Sequence, residues 1–303
     1  MMGKLIILGV IGRSEGVARR LKGIAIAMKP LGRSLGVLAL TMTLCACSAL
    51  DNLAAMGMSA GPNGPETPGT LGVPYERVSI PSGPRHLDGY LVRANEQCDS
   101  PPALLIYHGV GETISQWVQA QQFLYQHCVS SIVFDYTGSG DSPGPASHRA
   151  INADATAAYD FAQRTFGDEI CLYALGHSMG NGPMLHAAGH WNIEPDGIVV
   201  ANTFKSLRSA TSRIGGWGVF AGVMPNWWDN IDAVREVHAP ILIVHSDADA
   251  VNPMGEGQMI FDAANDPRTI AIVHGFRHNA LYKEPNEEWW GPVLEFVRAQ
   301  PAC

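Results

Sequence analysis

The chain has 303 residues, 46% hydrophobic and 16% charged, which is room for one large α/β domain or two small ones and excludes a chain disordered throughout. Charge is uneven: residues 1–47 hold seven of the 20 Lys+Arg and one of the 28 Asp+Glu, leaving 13 basic and 27 acidic residues and a formal charge of −14 on the remainder. A surface that acidic repels phosphate backbones, so nucleic acid is not expected as a partner.

In chain order, residues 1–46 read as a signal region. Met28-Lys29-Pro30-Leu31-Gly32-Arg33 is a short basic start, and Leu35 to Leu44 is an apolar run of signal-peptide length, too short to span a bilayer comfortably. Counted from Met1 the signal is overlong and interrupted by Arg19-Arg20; counted from Met28 it has an ordinary layout, so translation is expected to begin at Met28. Leu44-Cys45-Ala46-Cys47 resembles the bacterial lipobox. That resemblance implies diacylation of Cys47 and a lipoprotein held to a membrane of the bacterial cell envelope, facing the periplasm or exterior. An ordinary signal peptide or an uncleaved anchor is the alternative, and each reading puts the domain outside the cytosol. Residues 47–74, rich in Gly and Pro without periodicity, read as a flexible tether.

With Cys45 removed and Cys47 lipidated, Cys98, Cys128, Cys171 and Cys303 remain, an even number for an oxidising compartment. Three connectivities are open. Cys98 with Cys128 is the expected pair, since each precedes a strand expected to lie beside the other. No cysteine or histidine spacing suits a metal.

From Tyr75 to the end, residues 75–303, strand-length apolar runs alternate with helical patterns. Strands are predicted at Arg77–Ile80, Leu87–Arg93, Ala103–Tyr107, Ser131–Asp135, Ile170–Leu175, Gly197–Ala201, Ile241–His245 and Thr269–Val273, and helices at Ile114–His127, Ile151–Phe166, Met179–Gly189, Met254–Ala264 and Glu287–Ala299. Such alternation predicts an α/β domain with a mostly parallel eight-stranded sheet covered by helices on both faces, and a ligand crevice at the carboxyl ends of the strands.

Gly176-His177-Ser178-Met179-Gly180 directly follows one such strand and opens a helix. A strand turning sharply into a helix strains the serine backbone and crowds the positions two before and two after it, where glycine fits. Together with Tyr107-His108-Gly109-Val110-Gly111, Phe134 to Ser142, Ile243 to Pro253 and the looser Gly275-Phe276-Arg277-His278-Asn279, this pentapeptide resembles the α/β-hydrolase superfamily over residues 75–300. The closest likeness is to short-lid serine hydrolases of the monoacylglycerol-lipase-like and palmitoyl-thioesterase-like branches.

A serine needs a base in contact and the base an orienting acid. His274 and His278 compete as base; His278 follows a glycine turn and matches the family's histidine. Asp247 and Asp249 compete as acid; Asp249 stands where the family's acid does, and Asp247 reads as a turn cap. The expected triad is Ser178, Asp249 and His278. The resemblance assigns the oxyanion hole to the backbone N–H groups of Val110 and Met179, makes His108 and His177 structural, and makes Asp135 a brace for the following glycine loop.

Residues 203–239 occupy the place of the family's lid. The apolar stretch Ile214 to Trp228 reads equally as a substrate-contacting flap and as ordinary cap packing. The expected activity is hydrolysis of small-molecule carboxylic esters or thioesters through an acyl-enzyme, without cofactor or metal. Amide hydrolysis of aminopeptidase type on the same fold and a non-catalytic binding module are the alternatives.

Overall fold

A computed structural model describes residues 57–213 and 226–299 of the chain. The signal region, Cys47 and residues 47–56 of the expected tether lie outside the described residues.

Eight strands form one sheet in the order β1-β2-β4-β3-β5-β6-β7-β8. They are β1 (Glu76–Ser82), β2 (Arg85–Val92), β3 (Ala103–Tyr107), β4 (Ser130–Phe134), β5 (Leu172–His177), β6 (Gly197–Ala201), β7 (Ile241–Ser246) and β8 (Arg268–Val273). β1 and β2 make an antiparallel hairpin, β2 runs antiparallel to β4, and every pairing from β4 through β8 is parallel. All eight predicted strands are present, with ends moved by a residue or two.

The central strands β3 to β7 are buried at every position because both faces are covered. In β3, Ala103, Leu105 and Tyr107 join one core cluster and Leu104 and Ile106 the other, the period of two turned to both sides of the sheet. On the first face pack α2 (His148–Phe166), α3 (Asn181–Ala188), α5 (Asn230–Val234) and α6 (Met254–Ala263); on the second pack α1 (Val118–Gln126), α7 (Ala280–Lys283) and α8 (Glu287–Arg298). Ser147 caps α2 by accepting the Ala150 N–H, and Asn286 caps α8 by accepting from Trp289.

The helix predicted from Ile114 begins as a 3-10 turn, Ile114–Trp117, set by the Thr113–Gln116 capping box, before α1 takes over. Three short helices, α4 (Leu207–Arg213), α5 and α7, escaped the sequence reading, being too brief to show a period.

Residues 57–74 are not the flexible tether expected of them. Residues 57–74 lie docked on the domain: Ala60 N–H donates to Ser139 Oγ (3.1 Å), Gly64 N–H to Ser115 Oγ (2.9 Å), and Asn63 Nδ2 to Asp135 (2.8 Å). Gln122 Nε2 donates to Leu71 O, and Pro68 and Val73 are buried. A Gly/Pro-rich segment is cheap to leave free, but here its backbone donors find fixed acceptors on the loops after β3 and β4.

Cys98 and Cys128 form a disulfide with Cα atoms 5.6 Å apart, joining the approaches to β3 and β4. Closing a loop of this length contributes about 3 kcal/mol.

Candidate active site

β5 delivers the serine. It runs apolar into Gly176 and His177, and Ser178 follows with φ at +51°, a left-handed conformation rare for a residue with a side chain. The chain can turn there only because its neighbours are bare. A Cβ on Gly176 would stand 2.8 Å from the Asn181 Cα, and one on Gly180 would run into the Tyr107 carbonyl. Asn181 ties the turn down, donating from Nδ2 to the carbonyls of Ser178 (3.0 Å) and Ala201 (2.9 Å).

The loops after β7 and β8 bring the partners. Ser178 Oγ lies 2.9 Å from Nε2 of His278, and Nδ1 of the same ring lies 2.7 Å from Asp249 Oδ2. Oδ1 of Asp249 accepts the N–H groups of Val251 (2.8 Å) and Asn252 (2.9 Å). Burial alone would raise the Asp249 carboxyl; the His278 contact and these two donors outweigh it and hold the group below its ordinary value. The pair is almost dry, with side-chain exposure of 11% for His278 and none for Asp249.

His274 and Asp247 find each other instead. His274 Nδ1 is 2.7 Å from Asp247 Oδ2, and Asp247 Oδ1 accepts the Gly275 N–H at 2.8 Å, so Asp247 caps the turn after β8. Neither His274 nor Asp247 makes a contact to Ser178 among the described residues.

Val110 stands on the loop after β3, half exposed at 49%, and Met179 on the turn after Ser178, buried at 6%. The loop bearing Val110 is shaped from beneath by Glu112, whose Oε2 accepts the Gly109 N–H at 2.7 Å.

The arrangement can move a proton from a hydroxyl to an imidazole whose other nitrogen is fixed by a carboxylate. A family model described as serine aminopeptidase, S33 (Hydrolase_4) matches residues 100–233. Lysophosphatidylserine lipase ABHD12 of Danio rerio is 26% identical over 215 residues, covering 61% of this chain and 56% of that protein. The uncharacterized protein Rv2307c of Mycobacterium tuberculosis is also 26% identical, over 181 residues, covering 59% and 64%. The chain thus spans between about half and two thirds of the length of these curated relatives. Among solved structures, the Pyrococcus furiosus esterase Pf2001 superposes with a TM-score of 0.64 at 16% identity, over 80% of this chain and 98% of that one. The chain has the α/β-hydrolase fold.

In that fold the insertion after β6 is pinned at its base. Asn230 N–H donates to Lys205 O and Leu207 N–H to Trp227 O, so the outgoing and returning segments meet. Of the aromatic stretch read as flap or packing, Trp227 stacks on His148 (ring centroids 4.5 Å apart) and Trp228 Nε1 donates to Asn152 Oδ1 (2.8 Å); both are buried packing. Residues 214–225 lie outside the described residues. Arg213 holds Glu256 through both Nη atoms (2.7 and 2.9 Å) and reaches Asn252 Oδ1, tying α4 to the loop of Asp249.

Asp135 braces a different element from the one expected. Its Oδ1 accepts the Ile114 N–H at 3.0 Å and its Oδ2 the Asn63 amide, so it supports the start of the 3-10 turn after β3, while Gly140 of the following loop closes over the carboxylate. His108 and His177 both lie against backbone: His108 Nδ1 is 2.9 Å from Gly109 O, and His177 Nε2 is 3.1 Å from His278 O.

Two supporting residues went unread in the sequence. Asn202, at φ +44° after β6, donates from Nδ2 to His278 O (2.8 Å) and accepts the Ser246 N–H (3.0 Å), linking the β6, β7 and β8 ends. Glu112 is buried under the loop of Val110. A polar residue directly after an apolar strand, as in Ala201-Asn202, is a usable signal for the first; nothing in the local sequence marks the burial of the second.

Proposed function

We propose that the chain is a serine hydrolase that cleaves carboxylic esters or thioesters through an acyl-enzyme. The observation that carries this reading is the unbroken hydrogen-bond chain from Ser178 Oγ through His278 to Asp249, with Ser178 held in a left-handed backbone turn. Ser178 Oγ attacks the substrate carbonyl while His278 Nε2 takes its proton. The negative oxygen is held by the N–H groups of Val110 and Met179, where one such donor is worth about 3 kcal/mol in the transition state. Collapse expels the alcohol or thiol with the proton from His278; water then repeats the sequence and releases the acid. Asp249 keeps the ring oriented and stabilises its charged form.

Likeness to a lysophosphatidylserine lipase supports a lipid-like ester as substrate, and the short insertion supports an open site of the short-lid branch. The Cys47 lipobox supports a lipid-anchored protein of the bacterial cell envelope. The serine aminopeptidase description keeps amide hydrolysis as a second reading.

A fluorophosphonate probe should label the wild type and fail on Ser178→Ala; a folded wild type that resists the probe would favour a binding module. Rates on an ester series of rising acyl length, with a thioester and an aminoacyl arylamide, then identify the substrate class, and preference for the arylamide would overturn ester hydrolysis. Cys47→Ala should move the protein from the membrane to the soluble fraction.

A further inference from the structure

Behind the serine lies a second polar chain that the proposed reaction does not use. Glu112, 5% exposed, accepts at Oε2 the N–H of Gly109 (2.7 Å) and the Nε1–H of Trp117 (3.0 Å). Its Oε1 lies 3.0 Å from Nδ1 of the fully buried His177. On the other side of that ring, Nε2 is 3.1 Å from the carbonyl oxygen of His278, which also accepts from Asn202. Trp117 and Tyr282, stacked at 5.1 Å, close over the pair, each packed against His177 at 5.8 and 5.7 Å between ring centroids.

A carboxylate receiving two N–H donors acts as an acceptor, and a peptide carbonyl always does. Burial would raise the Glu112 carboxyl, but His177, His108 and the Gly109 N–H outweigh it and hold the group below its ordinary value. Both nitrogens of His177 are therefore engaged, Nδ1 by the Glu112 carboxyl and Nε2 by the His278 carbonyl, and breaking either buried contact leaves a polar atom with no solvent to replace its partner. The titratable groups facing His177 are Glu112, Tyr282 and His278, the last with ring centroids 4.9 Å away.

We infer that Glu112 and His177 form a buried hydrogen-bonded pair that positions the site from behind. Glu112 holds the loop of Val110 through Gly109, and the ring of His177 holds the backbone of His278. The oxyanion loop and the base, which must stand on opposite sides of one reacting carbonyl, are thereby registered to each other through two positioning residues. This rests on the reading of Ser178 as nucleophile.

Glu112→Gln keeps the shape but replaces one carboxyl oxygen by an NH2 group that cannot accept, so the contacts to Gly109, Trp117 and His177 cannot all be kept. Its kcat per labelled site should fall about tenfold to a hundredfold with KM within about threefold, as expected of misplaced rather than missing groups, and Glu112→Asp should recover part of the loss. The ring nitrogen resonances of His177, assigned by their absence in His177→Asn, and the backbone amide resonance of Gly109 should both shift in Glu112→Gln. Unmoved His177 and Gly109 resonances, or a Glu112→Gln enzyme with unchanged kcat per labelled site, would overturn the inference. The resonance measurement needs no activity, so it stands apart from failure of the Ser178 reading, which would appear as a wild type that the probe does not label.

Discussion

Two histidine–aspartate pairs stand within a few residues of each other at the ends of β7 and β8, and they have the same contact distance. His278 and Asp249 meet at 2.7 Å, as do His274 and Asp247. The first pair has side-chain exposures of 11% and 0%, the second 76% and 43%. Among the described residues, the first alone has a serine on its other ring nitrogen. The contrast teaches that a short hydrogen bond alone does not set such a pair apart; its surroundings do. An exposed pair spends its attraction competing with water and salt, whereas the same contact in a dry site orients a ring and acts on developing charge at much lower effective dielectric.

The largest effects should come from the buried pair and its serine. Ser178→Ala and His278→Ala should each lower kcat by about a million-fold, and Asp249→Asn by about ten-thousand-fold, read on a chromogenic ester. The matched substitutions His274→Ala and Asp247→Asn should leave kcat within about threefold of wild type, and a loss on the exposed pair comparable to that on the buried one would break the comparison.

Acid separates the pairs next. The Asp249 carboxyl is held low in the fold, with burial opposed and outweighed by His278 and the Asn252 and Val251 donors, so its contribution to stability is complete above the ordinary carboxylate value near about 4 and is lost as pH falls through the lower folded value. The Tm difference between wild type and Asp249→Asn should therefore be widest near neutrality and shrink below about pH 4. Asp247 is also held low, by His274 and then the Gly275 N–H, but in water, so the same plot for Asp247→Asn should be nearly flat and should respond to salt. A Tm gap for Asp249→Asn that widens on acidification would contradict this sign.

Gly275 serves both pairs. Its φ of +80° makes the turn between His274 and His278, and a Cβ there meets nothing within 4 Å, so Gly275→Ala imposes backbone strain alone. The expected cost is about 1–2 kcal/mol in urea titrations, with a modest fall in kcat from the shifted His278. The smallest effect belongs to the surface: salt at 0.5 M should alter the wild-type kcat little while abolishing any measurable stabilisation by His274 and Asp247, because screening reaches only the exposed pair.

Much of this site was legible in one dimension. The strand before Gly176 and the glycines around Ser178 obey steric requirements that hold in any surrounding, and His278 and Asp249 sit just past strand ends, where a parallel sheet gathers its loops. The choice between Asp247 and Asp249 was legible only through the family's motif, since both are aspartates on one loop and their difference is solvent. The role of Asp135 as a brace is legible at its strand end, but its partner, the Ile114 N–H, lies 21 residues behind it and no local pattern points there. The docking of residues 57–74 is not legible, because Gly and Pro describe a chain's freedom, while docking depends on acceptors such as Ser115 and Ser139 that lie far along the sequence.

The sequence by itself determined the layered sheet, the strained serine and the residue types able to serve it, because hydrophobic period and backbone sterics are local properties. Tertiary structure alone decided how dry each histidine–aspartate pair is, what supports the loop of Val110, and that Glu112 and His177 are buried face to face. Those outcomes depend on the exclusion of water and on distances between residues such as 112 and 177, which no local pattern encodes.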